Sequence, residues 1–145
     1  VATTANRTLM LELLPASGEE GRPPVPVLGR FSYRSDRPYE VAVDFSCRGE
    51  TVASWLFARE LLLRGARGRV GEGDVSVWPV HGRGRPARVH IQLSTEEGRC
   101  VLAVRAADLA DWTAETTRLV RPGTEGRHLD LDAAVARLLA GTGRP

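Results

Sequence analysis

Arg88-Val89-His90-Ile91-Gln92-Leu93-Ser94, then Thr95-Glu96-Glu97-Gly98, then Cys100-Val101-Leu102-Ala103-Val104, carries the pattern of an antiparallel hairpin. Val89, Ile91 and Leu93 alternate with Arg88, His90 and Gln92. That period of two turns one face of a strand inward. Glu96-Glu97-Gly98 is a hairpin turn, so the chain returns antiparallel. The return strand, Cys100–Val104, is apolar almost throughout and is expected to be buried on both faces. The period then lengthens. Leu109, Trp112, Thr116, Leu119 and Val120 mark the inner side of a helix over Ala106–Val120, stopped by Pro122-Gly123. A hairpin followed by a helix is the mark of an α+β domain with antiparallel sheets packed by helices, not of a βαβ fold.

Toward the N-terminus, three more strands are expected over Thr8–Leu14, Val27–Tyr33 and Glu40–Cys47. The last is the clearest, with Val41, Val43 and Phe45 inward. Ser35-Asp36-Arg37-Pro38 supplies a turn through short polar groups and a fixed φ. Pro15–Pro26, rich in Pro and Gly, predicts a long exposed loop. Past Gly49, Val52, Trp55, Leu56, Leu62 and Leu63 fall at helical spacing and predict a helix over Thr51–Leu63. Gly65–Gly73 and His81–Ala87 read as two Gly/Arg loops flanking a strand at Asp74–Val80. Beyond the Pro122 stop, Asp130 or Asp132 is placed to cap a last helix whose face is Leu131, Val135, Leu138 and Leu139. Residues 1–7 and 141–145 are expected to be flexible. The 145 residues form one domain.

The composition excludes several functions. Forty-two per cent of residues are hydrophobic and 26% charged, which is globular and not disordered. Twenty basic residues face 18 acidic ones, too even a balance for a polycationic protein. Every basic residue is Arg, the usage of a GC-rich genome. No apolar run approaches the ~20 residues of a membrane span, and no secretory signal pattern opens the chain. Cys47 and Cys100 are too few for a disulfide scaffold or a zinc site and read as small buried hydrophobes in a reducing cytoplasm. No nucleophile elbow, zinc-protease, Walker or Cys-x-x-Cys motif is present, so no catalytic residue, cofactor or metal site is assigned. His81, His90 and His128 are scattered along the chain. Glu60 and Asp74 read as surface carboxylates.

Two surfaces remain as candidates. Residues 64–88 carry six Arg against two acids. Arg64, Arg67, Arg69, Arg83, Arg85 and Arg88 are the contacts of an alternative function, single-stranded nucleic-acid binding, with Trp55, Trp78 or Tyr39 for stacking. The balanced charge of the whole chain weighs against it. The first-ranked surface is apolar. A helix over Val52–Leu63 is apolar around most of its circumference, so Trp55, Phe57 and Leu61 point to a homo-oligomer or partner interface. Arg59, in the same stretch, is a further candidate of this interface and is expected to be buried and paired, fixing helix on sheet, so that its loss would cost stability or assembly. Gly123, Thr124 and Glu125 form a turn read as partner-facing.

Six fragments in fixed order add a resemblance. They are Asp36–Val41, Trp55–Leu62, Gly71–Pro79, Ile91–Ser94, Pro122–Glu125 and His128–Asp132. Together they resemble the SsgA-like family, sporulation and cell-division regulators of filamentous actinobacteria, over residues about 27–140. The resemblance implies a non-enzymatic cytoplasmic protein, recruited to the division septum, with a Whirly-like single domain and a homotrimeric assembly. It implies as partners other SsgA-like proteins or the tubulin-like division protein FtsZ. The Pro15–Pro26 loop and the His81–Ala87 insert depart from the family pattern.

Overall fold

The structure, a computed structural model, describes residues 2–129 together with Val135, Ala136, Leu138 and Leu139. Its strands are β1 (Thr4–Leu13), β2 (Val25–Arg34), β3 (Glu40–Cys47), β4 (Glu50–Ala58), β5 (Val70–Glu72), β6 (Val75–Gly82), β7 (Arg85–Thr95) and β8 (Gly98–Arg105). Helix α1 (Arg59–Gly65) sits between β4 and β5, and α2 (Ala106–Leu119) follows β8. A 3₁₀ turn, Glu125–Arg127, lies beyond α2.

All eight strands join one antiparallel sheet in the order β4-β3-β2-β1-β8-β7-β6-β5. It is made of two four-stranded meanders. Within the sheet they are joined by a short pairing of β1 with β8, at Leu11↔Val104, Glu12↔Ala103 and Leu13↔Leu102. The sheet curls, so that Trp55–Ala58 on the β4 edge faces Glu72–Val75 across an opening of about 490 Å³.

The alternation in each strand fills the concave side. Leu9, Leu11, Phe31 and Val43 come from the first meander, and Val77, Val89, Ile91 and Val104 from the second. Helix α2 closes one end of this trough with Leu109, Trp112 and Thr116. Trp112 is fully buried, meets Phe31 edge-on at 5.2 Å, and its Nε1–H donates to the Ala5 carbonyl at 3.1 Å. As expected, Leu102, Ala103 and Val104 of β8 are buried on both faces.

Helix α1 lies against β6 so closely that only glycine fits at its end. A Cβ on Gly65 would stand 2.2 Å from Val77 Cγ1 and 2.5 Å from Val77 Cβ. Gly65→Ala is therefore expected to destabilise the fold by about 1–3 kcal/mol through overpacking. Urea unfolding checks this, and Val77→Ala in the same chain should restore part of the loss. An unshifted midpoint would contradict the close approach.

Thr51–Leu63 is not one helix; it is strand β4 up to Ala58 and helix α1 from Arg59. The run Thr51–Ala58 is nearly all apolar and fits both periods, but Ala53, Trp55 and Phe57 turn inward at period two while Thr51, Val52 and Ser54 remain exposed. Aromatic and β-branched residues favour that half-buried pleated surface. His81–Ala87 is not a loop, because β6 and β7 continue to Gly82 and Arg85 around a tight turn with Gly84 at φ +67°. The Gly65–Gly73 loop contains β5, paired with β6. Thr4–Arg7 is strand, paired along β2, and not flexible. The stretch between β1 and β2 is an exposed loop, within which Arg22 and Glu19 form a surface ion pair at 2.9 Å. Of the expected last helix, Val135, Ala136, Leu138 and Leu139 are helical; Asp130, Leu131, Asp132 and residues 141–145 lie outside the described residues.

Candidate functional site

Arg59 stands where β4 becomes α1. The inward alternation of Ala53, Trp55 and Phe57 continues to it, so its side chain enters the core with 1% of its surface exposed. Its Nη1 donates to the Thr116 carbonyl at 3.1 Å and the Val120 carbonyl at 2.8 Å. Arg59 thus adds a second donor to the Thr116 carbonyl, which already accepts the Val120 N–H at 3.0 Å, and supplies one to the Val120 carbonyl just past the helix end, where the i+4 donor is missing. Its Nη2 donates to Glu125 Oε2 at 2.9 Å in an ion pair. The guanidinium lies 4.9 Å from the centroid of the Tyr33 ring, a cation–π contact. Nε is left without a partner.

Glu125 completes the device. Its Oε1 accepts the Gly123 N–H at 2.8 Å, and Gly123 holds φ +92°, a conformation glycine takes without strain. Burial pushes the Glu125 carboxyl up, but the Arg59 hydrogen bond and the backbone donors outweigh it and hold its pKa below the ordinary 4.5. Burial also pushes the Tyr33 phenol up to about 12, against the opposing field of Arg59. Its hydroxyl donates to the Pro38 carbonyl at 2.9 Å. Glu125 thus points inward, not toward a partner as its turn suggested; Gly123 is exposed and Thr124 half-exposed. Arg59 is buried and paired inside one chain, which fits it for holding α2 and the following turn and not for touching a second molecule.

The apolar candidates also rearrange. Phe57 and Leu61 are buried in the core, so they do not form an exposed helix face. Trp55 is half-buried and stacked on Phe57, ring centroids 6.3 Å apart. The uncovered apolar surface lies instead at the end of the trough away from α2. There an open concavity of about 330 Å³ is lined by Leu13, Val27, Phe45, Val52, Trp55 and Leu102, with Val52 62% exposed at its edge. The sequence concealed this mouth because it exists only once Thr51–Ala58 is a strand. Cys100 also lines it; Cys100 and Cys47 are both free thiols.

The Arg loops are partly engaged. Arg69 covers the Trp78 ring at 4.3 Å, and Trp78 leans on His90 with centroids 5.7 Å apart. Burial and the nearby Arg88 both depress the His90 pKa. Arg88 Nη1 donates to Glu12 Oε1 at 2.7 Å, while Arg64, Arg67, Arg83 and Arg85 are exposed. Among the described residues there is no His/Cys/Asp/Glu cluster fit for a metal ion, and no helix is long and apolar enough to cross a membrane.

These features define a one-sheet α+β domain with an open apolar mouth and exposed arginine-bearing turns. Residues 27–125 match the family model described as Streptomyces sporulation and cell division protein, SsgA, and the chain belongs to this family. It is 39% identical to the sporulation-specific cell division protein SsgB of Streptomyces coelicolor over 138 residues, covering 95% of this chain and 97% of that one. It is 42% identical to the SsgB of Salinispora tropica over 120 residues, 81% of this chain and 82% of the relative. A solved SsgA-like sporulation-specific cell division protein from Thermobifida fusca superposes with a TM-score of 0.82 at 33% identity, covering 94% of this chain and 96% of that one. A solved SsgB from Streptomyces coelicolor gives 0.79 at 37% identity, covering 88% and 97%. These relatives are named for cell division during sporulation and not for a catalysed reaction.

Proposed function

We propose that this chain regulates sporulation-specific cell division without catalysis, as an oligomeric scaffold drawn to the division septum by other proteins. The fold is of the Whirly-like kind, the assembly is a homotrimer, and the partners are other SsgA-like proteins or FtsZ. The likeness to SsgB along nearly the whole chain supports the division role. The observation that carries the mechanism is the uncovered apolar mouth beside Val52, because exposed apolar concavities of this kind mark contact sites. Repeated copies of a weak site on a rigid oligomer gain avidity on a polymeric partner.

The nucleic-acid reading finds less support. Arg69 already covers one face of Trp78, and Arg88 is neutralised by Glu12. Co-sedimentation with polymerised FtsZ, at low and high salt and with single-stranded DNA as competitor, tests the reading. Binding that survives salt and ignores DNA is expected. Binding to DNA alone, lost steeply with salt, would replace it with the phosphate-contact alternative.

A further inference from the structure

Strand β4 is the last in the sheet order, so one of its edges has no neighbouring strand. The register shows which backbone groups are left over there. The Arg59 N–H donates to the Tyr39 carbonyl at 2.8 Å, and the same alignment runs on through Phe57↔Val41, Trp55↔Val43 and Ala53↔Phe45. Bonded positions alternate along an antiparallel pair. Ala53, Trp55 and Phe57 therefore bond to β3. The N–H groups of Ser54, Leu56 and Ala58 and the carbonyls of Ser54 and Leu56 turn to the open edge. The β3–β4 register shifts between Phe45 and Ser46, outside this stretch. Natural edges are usually blocked by charge or proline. Thr51–Ala58 contains neither.

This edge looks across the 490 Å³ opening. Buried Phe57, Leu61 and Val75 give the slot an apolar base, and Glu72, Gly73 and Asp74 form its far wall. Glu72 and Asp74 are exposed and are the charged residues that line it. We propose that the slot takes up an extended, lysine- or arginine-bearing segment of a partner protein, which pairs with β4 as an added strand. Main-chain bonds hold such a strand and its alternate side chains give the choice of partner. Apolar residues would meet Phe57 and Leu61, and cations would answer Glu72 and Asp74. The free edge of a second copy brings no such cation: Thr51–Ala58 is uncharged, and β5 is Val70, Gly71 and Glu72. Phosphates would be repelled by the same two carboxylates. Trp55 lines both the slot and the mouth. The slot is nevertheless read by backbone pairing and charge, so it stands whether or not the mouth is used in division.

Amide exchange followed by NMR on the full chain tests this, with a short blocked peptide of alternating valine and lysine as the probe. In the free protein the Ser54, Leu56 and Ala58 amides are expected to exchange fast and those of Trp55 and Phe57 slowly. The peptide should slow the first set and leave the second unchanged. The same peptide N-methylated along its backbone should do nothing, because it has no N–H for the Ser54 and Leu56 carbonyls. Glu72→Gln with Asp74→Asn, both at exposed positions, should weaken binding roughly tenfold by removing exposed ion pairs. Slow exchange of Ser54, Leu56 and Ala58 before any peptide is added would mean that a second copy already covers the edge, and it overturns the proposal. So does a peptide that leaves those amides fast, binding that survives N-methylation, or an affinity indifferent to the two carboxylates.

Discussion

Replacing Arg59 with alanine is expected to destabilise the protein by about 3–5 kcal/mol, the usual cost of removing one partner from a buried ion pair. The guanidinium serves the Thr116 and Val120 carbonyls and the Glu125 carboxylate at once; without it the Val120 carbonyl loses this donor, and Thr116 and Glu125 keep the Val120 and Gly123 N–H groups alone. The melting temperature should fall on the order of 10 °C. Adding Glu125→Gln to Arg59→Ala should recover part of the loss, because the stranded charge is then gone. The pair also sets an acid response. A carboxyl depressed below its ordinary 4.5 contributes stability that is present above that value and is lost as pH falls through the lower folded value. Thermal melts from pH 6 to pH 3 should show this step in the unaltered protein and not in Arg59→Ala. A variant that melts like the parent would remove Arg59 from its place as the tie between β4, α1 and the end of α2.

Trp112→Ala is expected to be as damaging, about 3–5 kcal/mol for truncating a large buried aromatic. Trp112 has none of its surface exposed, and it is the largest of the side chains with which α2 covers the trough. Its removal opens a cavity beside Phe31 and leaves the Ala5 carbonyl without the indole donor. Trp112→Phe keeps most of the volume and loses the hydrogen bond, so its cost should be nearer 1–3 kcal/mol. Urea unfolding of the two variants separates packing from hydrogen bonding. A loss under about 1 kcal/mol for Trp112→Ala would mean that α2 is held by something other than this contact.

Where one period dominated, the fold was legible. Val89, Ile91 and Leu93 alternate strictly, and α2 is long enough to show several turns, so the β7–β8 hairpin and its helix agree with their sequence reading. Thr51–Ala58 concealed its state because an almost wholly apolar run satisfies both periods, and α1, a seven-residue helix, adds little signal. The interior position of Arg59 could be read from its apolar neighbours. Its partners could not, because Thr116 and Glu125 lie 57 and 66 residues away and meet it only after the sheet has curled. For the same reason Phe57 and Leu61 looked like an exposed face and are core, whereas the mouth beside Val52 left no mark in the sequence. The family was legible in ordered fragments because they combine turns, strands and the Pro122–Glu125 stop at fixed separations.

The most direct measurement is a count of sporulation septa in the host after deletion of the gene, with the unaltered chain and the Val52→Asp variant each returned in its place. Septation is expected to be disturbed by the deletion, restored by the unaltered chain and not restored by Val52→Asp at equal protein level. Normal septation in the deletion strain would contradict the division role, and full restoration by Val52→Asp would contradict a mechanism that works through the apolar mouth.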